Sequence, residues 1–454
     1  MNLESLSFQH PLLKEIDMFL SGSEKVRRMF HKCFFSTIER STVWKEGEAP
    51  FVVTGDISAM WLRDSSAEVW NYLAFMQDIP ELQRFIEGVI RRQIRYILTD
   101  PYANSFNEYP NGERCWYDIT EQHSLVWERK YEIDSLAYVI RLIHAYCSHT
   151  GNLPPYTERE NPGENRDEEA DASVGMISRL FHVILDIWKK EQHHFAESAY
   201  RFTRKNTWER DTIYNNGLGN PVNDTGMTWS GFRPSDDACV FGYLIPSNFF
   251  AAAALGYIEE IAAVYLKDHE IIGQAVQLRQ EILRGIRNYG TYLHPKFGRI
   301  YAYETDGYGN YTLQDDANIP SLLSLPYFCG SYFDKEIYQN TRKFVLSPEN
   351  PYYFSGKFGD GVGSQHTPKG SIWPIAVAVR ALTSDNRDEI AHCLRILLTT
   401  DAGTDYMHES FCTDNSQIYT RAWFSWADAM FAELVLKLYS DESMRDILLL
   451  NYSL

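Results

Sequence analysis

Between Pro80 and Leu98 the chain reads PELQRFIEGVIRRQIRYIL, with apolar residues at 82, 85, 86, 89, 90, 94, 97 and 98. That spacing lines one face of an α-helix, and Pro80 suits its first turn. The same periodicity recurs over 24–40, 58–77, 129–148, 171–192, 247–266, 270–287, 334–345, 372–383, 387–399, 422–439 and 442–450. Strand-like runs are short and few, the best hairpin candidate being Gly298–Tyr303 with Tyr308–Leu313. The fold class is therefore all-α. Long loops rich in Gly, Pro, Asn and aromatic residues separate the helices at 100–127, 204–245, 290–320 and 346–371. Loops of that length usually build a binding site or are disordered. Their aromatic content argues against disorder, with the polar, charged stretch Asn152–Asp171 as the exception. Short and long loops in alternation predict helical hairpins in a ring, with the long loops forming a cleft at one end. No break in composition divides residues 1–454, so a single domain is expected.

The net charge of −18 disfavours nucleic acid or an anionic membrane as a partner, since both call for a basic surface. The N-terminus lacks the basic start and long apolar run of a secretory peptide, and no segment approaches about 20 uninterrupted apolar residues. Seven scattered cysteines without a C-x-x-C pair suit reduced thiols in a cytoplasm better than a disulfide framework. An intracellular, cytoplasmic monomer is expected, which makes the sequons at Asn223, Asn310 and Asn451 chance matches. With 29 Tyr, 25 Phe and 11 Trp spread along the chain, the composition suits a protein that stacks against sugar faces. Most single rings are core all the same.

Three constellations carry candidate chemistry. In Thr54-Gly-Asp-Ile-Ser-Ala-Met-Trp-Leu-Arg-Asp-Ser65, Asp56 follows a glycine turn, and Arg63 and Asp64 adjoin Trp61. An Arg-Asp pair on a cleft wall can grip sugar hydroxyls, although the same dipeptide is commonly a solvated ion pair. In Ser230-Gly-Phe-Arg-Pro-Ser-Asp-Asp237, Pro234 stiffens a loop carrying Arg233, Asp236 and Asp237. Adjacent aspartates in a dry pocket do not both ionise cheaply, so one is expected to hold a proton, as a general acid must. The plainer alternative is a turn cap. In Asp405-Tyr-Met-His-Glu-Ser-Phe411, Glu409 is placed to activate a water, or simply to pair with Arg421. Lesser candidates are His366 and Thr367 in a Gly-rich turn, and Glu128 near a helix start, where acids also stabilise the helix N-terminus. Zinc, EF-hand, Walker, Rossmann and G-x-S-x-G signatures are missing, so no metal or cofactor is expected.

The segments TGDISAMWLRDS, SGFRPSDDACVFGYLIPSN, GSQHTPKGSIWPIA and MHESF followed by TRAWFSWADAMFAEL resemble glycoside hydrolase family 125, over residues 25 to 440. The resemblance implies an (α/α)6 barrel and a metal-independent exo-α-mannosidase that cleaves terminal α-1,6-linked mannose from a mannose-containing oligosaccharide with inversion. It also implies Asp236 as general acid and Glu409 as general base. Sugar contacts are then expected from Asp56, Trp61, Arg63 and Asp64, from Glu128, from Arg233 and Asp237, and from His366 and Thr367. Ser410 and Pro374 depart from the family's pattern. Two rival readings are a sugar epimerase using paired histidines on a similar barrel, and a non-catalytic glycan-binding protein.

Overall fold

The structure, a computed structural model, describes residues 10–45, 47–156, 166–205 and 208–452. Much of the stretch expected to lack order, Asn152–Asp171, lies outside the described residues.

Six amphipathic helices form an outer layer: α1 (Glu24–Ser36), α3 (Pro80–Thr99), α5 (Arg166–Gln192), α7 (His269–Tyr289), α9 (Lys335–Val345) and α11 (Arg387–Thr399). They alternate along the chain with an inner set: α2 (Leu62–Glu68), α4 (Ile133–Thr150), α6 (Ile245–Ile261), α8 (Leu325–Phe328), α10 (Pro374–Leu382) and α12 (Ser425–Ser440). The arrangement is the (α/α)6 fold. The inner helices are covered on all sides: every residue of Leu62–Glu68, Ile133–Ile143, Ile245–Gly256 and Ser425–Ala432 is buried. A helix covered all round needs apolar or small residues all round, which the run Phe249-Phe-Ala-Ala-Ala-Ala-Leu255 supplies. By length and composition the segment Ile245–Leu266 could also cross a membrane, but most of it is inner wall here.

Neighbouring inner helices pack in sequence, α2 on α4, α4 on α6, α6 on α8, and α10 on α12, and α12 returns to α2. At the centre the Tyr138 ring meets Phe250, Phe328 and Trp426 edge-on, tying α4, α6, α8 and α12 together. Closure is tight where Gly55 bridges to Phe424 across the seam. A Cβ on Gly55 would run into the Trp423 carbonyl, so the seam requires glycine.

The boundaries expected from periodicity are close to those found for most helices, but the expected 58–77 helix divides into Leu62–Glu68 and a 3-10 segment, Trp70–Phe75, and the short inner helix Leu325–Phe328 was not expected. A helix at Pro11–Leu20 precedes the ring, and the stretch near 442–450 is a short 3-10 turn, Arg445–Leu449. The expected hairpin is corrected. Gly298–Tyr301 pairs with Thr291–His294, whereas Tyr311–Thr312 pairs with Glu304–Thr305. Gly298, at φ 78°, makes the left-handed turn that sends the first pair back on itself.

Candidate active site

Three small sheets sit where the chain enters inner helices, and they aim the site's side chains. Met60–Trp61 pairs with Ser105–Phe106, which pairs with Val126–Glu128. The first strand runs directly into α2, so Arg63 and Asp64 occupy its first turn; the last leads toward α4, with Glu132 and Asp134 at its start. Ser371–Ile372, Ser410–Cys412 and Asn415–Thr420 form a second sheet, in which Ser410 lies opposite Thr420. Glu409 immediately precedes one strand and Arg421 immediately follows its partner, so the register alone sets them side by side. The third sheet, Tyr243–Leu244 with Glu304–Thr305 and Tyr311–Thr312, leads into α6.

The loop at 230–237 folds as its residues dictate. Asp236 N donates to Arg233 O at 2.9 Å, closing a turn with Pro234 at the position where proline's fixed φ fits. Asp236 itself has φ 64°, a left-handed conformation that costs a non-glycine residue about 1 kcal/mol. Lys130 holds it there by donating from Nζ to the Asp236 carbonyl at 2.7 Å. Backbone strain of this kind is affordable when the side chain it aims has work to do.

That side chain opens onto a solvent-open cavity lined by Thr54, Ile57, Trp61, Arg63, Asp64, Pro234, Ser235, Asp236, Asn318, His366, Trp373, Glu409, Arg421, Phe424 and Trp426. Two polar atoms of wall residues, Trp61 Nε1 and Trp426 Nε1, are buried and make no hydrogen bond within the protein. Buried polar groups are normally satisfied, so unpartnered ones on a cavity wall mark where a hydroxyl-rich ligand would bond. Two donors and indole faces suit a sugar ring.

Charge is concentrated behind Asp236. The Arg63 guanidinium touches four carboxyl groups: Glu132 at 2.6 Å, Asp64 at 3.1 Å, Asp134 at 3.2 Å and Asp236 at 3.7 Å. One cation cannot neutralise four buried anions, so protons stay on some of them. Burial pushes Glu132 far above the usual carboxylate range, with the neighbouring Asp236 and Asp134 charges adding to it despite Arg63. Burial likewise lifts Asp134 to about 6 and raises Asp64, both against Arg63. Asp236 goes the other way: burial opposes its charge, but Lys130, Arg63, a hydrogen bond from Glu132 and His366 together hold it near 2.

This corrects the proton-sharing pair expected from the sequence. Asp237 does not line the cavity with Asp236, and its carboxylate has its own partners. It is fully buried, accepts from Ser235 and pairs with His366 at 3.3 Å and Arg210 at 3.5 Å. Adjacent residues in a tight turn present their side chains to different surroundings. The carboxyl that shares the Asn104 amide with Asp236 is Glu132.

Of the residues expected to contact substrate, Trp61, Arg63, Asp64 and His366 line the cavity together with Asp236 and Glu409. Asp56 stands outside it, largely exposed, gripping Arg421. Thr367 accepts from Trp373 Nε1 at 2.9 Å and so supports a wall residue. Glu128 lies deeper, held by Arg204 at 2.7 Å and by Asn104. Arg233 donates from Nε to Glu304 at 2.6 Å, against the Tyr303 ring, and does not line the cavity. Sequence reading missed Asn318, Trp373, Phe424 and Trp426 as wall residues. The last three stand at inner-helix N-termini, where an aromatic residue just before or inside the first turn was the available signal.

Two carboxyl groups that face one cavity from separate loops are the equipment of glycoside hydrolysis. Comparison with known proteins narrows that class. The family model described as "Metal-independent alpha-mannosidase (GH125)" matches residues 23–436, and the chain belongs to this family. A solved Streptococcus pneumoniae protein, described among metal-independent α-mannosidases as a non-productive substrate complex with α-1,6-mannobiose, is 40% identical. It superposes with a TM-score of 0.85 over 94% of this chain and 96% of that one. The "Meiotically up-regulated gene 157 protein" of Schizosaccharomyces pombe is 35% identical over 437 residues, 91% of this chain and 82% of that protein. The glucoamylase of Saccharomycopsis fibuligera shares only the fold, at 11% identity and a TM-score of 0.56, over 92% of this chain and 94% of that one. The activity is thus that of an α-mannosidase.

Proposed function

We propose that the protein removes non-reducing terminal α-1,6-linked mannose from oligosaccharides with inversion of configuration. Asp236 protonates the departing glycosidic oxygen while Glu409 takes a proton from the water that attacks the anomeric carbon on the opposite face. The observation that carries this reading is that Asp236 and Glu409 enter one cavity from different elements, each beside its own arginine, Arg63 and Arg421. Trp61, Asp64 and Trp426 bind the hydroxyls of the terminal sugar. The first turns of α2 and α12 close the cavity floor, which suits a blind pocket and exo action. The α-1,6 linkage is supported by the ligand of the Streptococcus pneumoniae relative. The cavity wall carries one histidine, His366, among the described residues, whereas acid–base epimerisation would call for two. We place the activity inside the cell, in a reducing compartment, because all seven cysteines are unpaired.

The test is release of reducing sugar from α-1,6-mannobiose. Wild-type protein should double the reducing ends, and Glu409→Gln should bind the disaccharide with turnover lowered by about 100-fold or more. Unchanged turnover in Glu409→Gln would remove Glu409 from the mechanism.

A further inference from the structure

An inverting hydrolase needs its general acid protonated before each turnover, yet the carboxyl in that position is surrounded by cations. Lys130 and Arg63 both face Asp236, and His366 stands across the cavity from them. Asp236 taken alone would be a poor proton donor near neutral pH. What lies behind it changes this. Asn104 Nδ2 donates to Asp236 Oδ1 at 3.1 Å and to Glu132 Oε1 at 3.3 Å, so a single amide clips the two carboxyl groups together. The Arg63 guanidinium reaches both groups as well, Glu132 at 2.6 Å and Asp236 at 3.7 Å. Two carboxylates held against one amide and one guanidinium repel each other, and a proton kept on the pair relieves that repulsion. The other Glu132 oxygen is occupied, accepting from Arg63 Nη1 at 2.6 Å and from Ser135 Oγ at 2.9 Å.

We propose that Glu132 and Asp236 hold one proton between them, and that this shared proton is the one delivered to the leaving group. The inference rests on Asp236 being the general acid. Glu132 has no exposed surface and does not line the cavity, so it is a positioning residue that acts through Asp236. In the resting site the proton sits on Glu132, the drier of the two and the one Asp134 also repels. As the glycosidic C–O bond breaks, the Glu132 proton passes to Asp236 and on to the departing oxygen, which keeps the bonding electron pair. The pair is left doubly anionic. Glu409 has meanwhile taken a proton from the attacking water, and exchange with solvent through the open cavity returns one proton to the pair and removes one from Glu409. The charged groups facing the pair are Arg63 and Asp64 of α2, Lys130, Asp134, Glu128 across Asn104, and His366. The cations among them stabilise the anionic product state.

The experiment compares the pH dependence of kcat/KM for Glu132→Gln and wild type on α-1,6-mannobiose and on 2,4-dinitrophenyl α-mannoside, whose leaving group needs no proton. Glutamine keeps the contacts to Arg63 and Ser135 but has no carboxyl proton to share. On mannobiose the alkaline limb should move down by about one pH unit or more, with at least a tenfold loss at pH 7. The dinitrophenyl substrate should change less than about threefold, and Glu132→Asp should recover part of the limb. An unmoved limb, or equal losses on both substrates, overturns the proposal. Should Glu132→Gln fail to fold by circular dichroism, Asn104→Ala takes its place. It removes the clip without altering charge and should move the same limb in the same direction, and an unmoved limb there overturns the proposal equally. Asp236→Asn separates the two possible failures. Loss on mannobiose with retention on the dinitrophenyl substrate upholds Asp236 as the acid even if the Glu132 arm fails. Equal loss on both overturns the acid assignment and this proposal with it.

Discussion

Arg421 Nη1 stands 3.6 Å from Glu409 Oε1, while Nε and Nη2 of the same guanidinium hold Asp56 Oδ1 at 2.8 and 2.5 Å. The base is thus oriented by an arginine that is itself oriented from across the seam of the ring. Arg421 adopts φ 45°, a strained conformation at the strand end that points it into the cavity.

Asp56 is therefore expected to matter for activity far more than for stability. Its carboxylate is exposed, and exposed ion pairs contribute about 0–1 kcal/mol. Asp56→Ala should shift the unfolding midpoint little but lower kcat/KM on α-1,6-mannobiose by about tenfold, a 1.4 kcal/mol loss of transition-state binding. Parallel thermal melts and kinetics check this, and wild-type kinetics in Asp56→Ala would contradict it.

His366 should be a cation at neutral pH. Burial lowers its affinity for a proton, but the hydrogen bond and charge of Asp237, helped by Asp236 and Glu409, raise it to about 9. The folded value lies above the unfolded value of 6.5, so the stabilisation is complete below pH 6.5 and is lost as pH rises through 9. Titration of the His366 imidazole by NMR should give a midpoint near 9, falling by more than about one unit in Asp237→Asn. A wild-type midpoint at 6.5 would contradict the pairing.

Asp428, buried at the start of α12, should make the fold less stable as pH rises. Burial lifts its pKa from 3.8 to about 7, although hydrogen bonds from Ser36, the Met407 N–H and Cys33 offset part of the effect. The unfolded chain gives up this proton first. Stability is therefore full below pH 3.8 and is lost up to pH 7, by at most about 1.4 kcal/mol per pH unit. Asp428→Asn should lack that slope, so the difference between the two Tm-versus-pH curves should change steadily between pH 3.8 and 7. Parallel curves would show that Asp428 is already ionised in the folded protein.

The fold was largely legible in the sequence because apolar spacing reports burial directly. Pro80–Thr99 shows one apolar face and lies in the outer layer, while Ile245–Ile261 is apolar on all sides and lies within. Strand pairing was less legible: Gly298–Tyr301 has equally plausible partners on both sides, and only the turn geometry at Gly298 chose Thr291–His294. In the site, Trp61, Arg63, Asp64, Asp236, His366 and Glu409 meet in one cavity; charge beside aromatic residues pointed to Arg63, Asp64 and Asp236, a Gly-rich turn to His366, and the family resemblance to Asp236 and Glu409 as acid and base. Charge beside aromatic residues also singled out Arg233 and Asp237, which do not line the cavity, because flanking aromatics announce burial and not the direction of a side chain. Asn104 and Glu132 left no mark, since a buried amide and a carboxyl at a helix start look like ordinary structural residues in a sequence. Their role depends on distances between segments far apart in the chain.

The central claim is single displacement by Asp236 and Glu409 acting from opposite faces. It is tested most directly by following the anomeric proton of the first mannose released from α-1,6-mannobiose by NMR, before mutarotation. β-mannose should appear first, with the α-anomer growing in later; initial release of α-mannose would contradict the account.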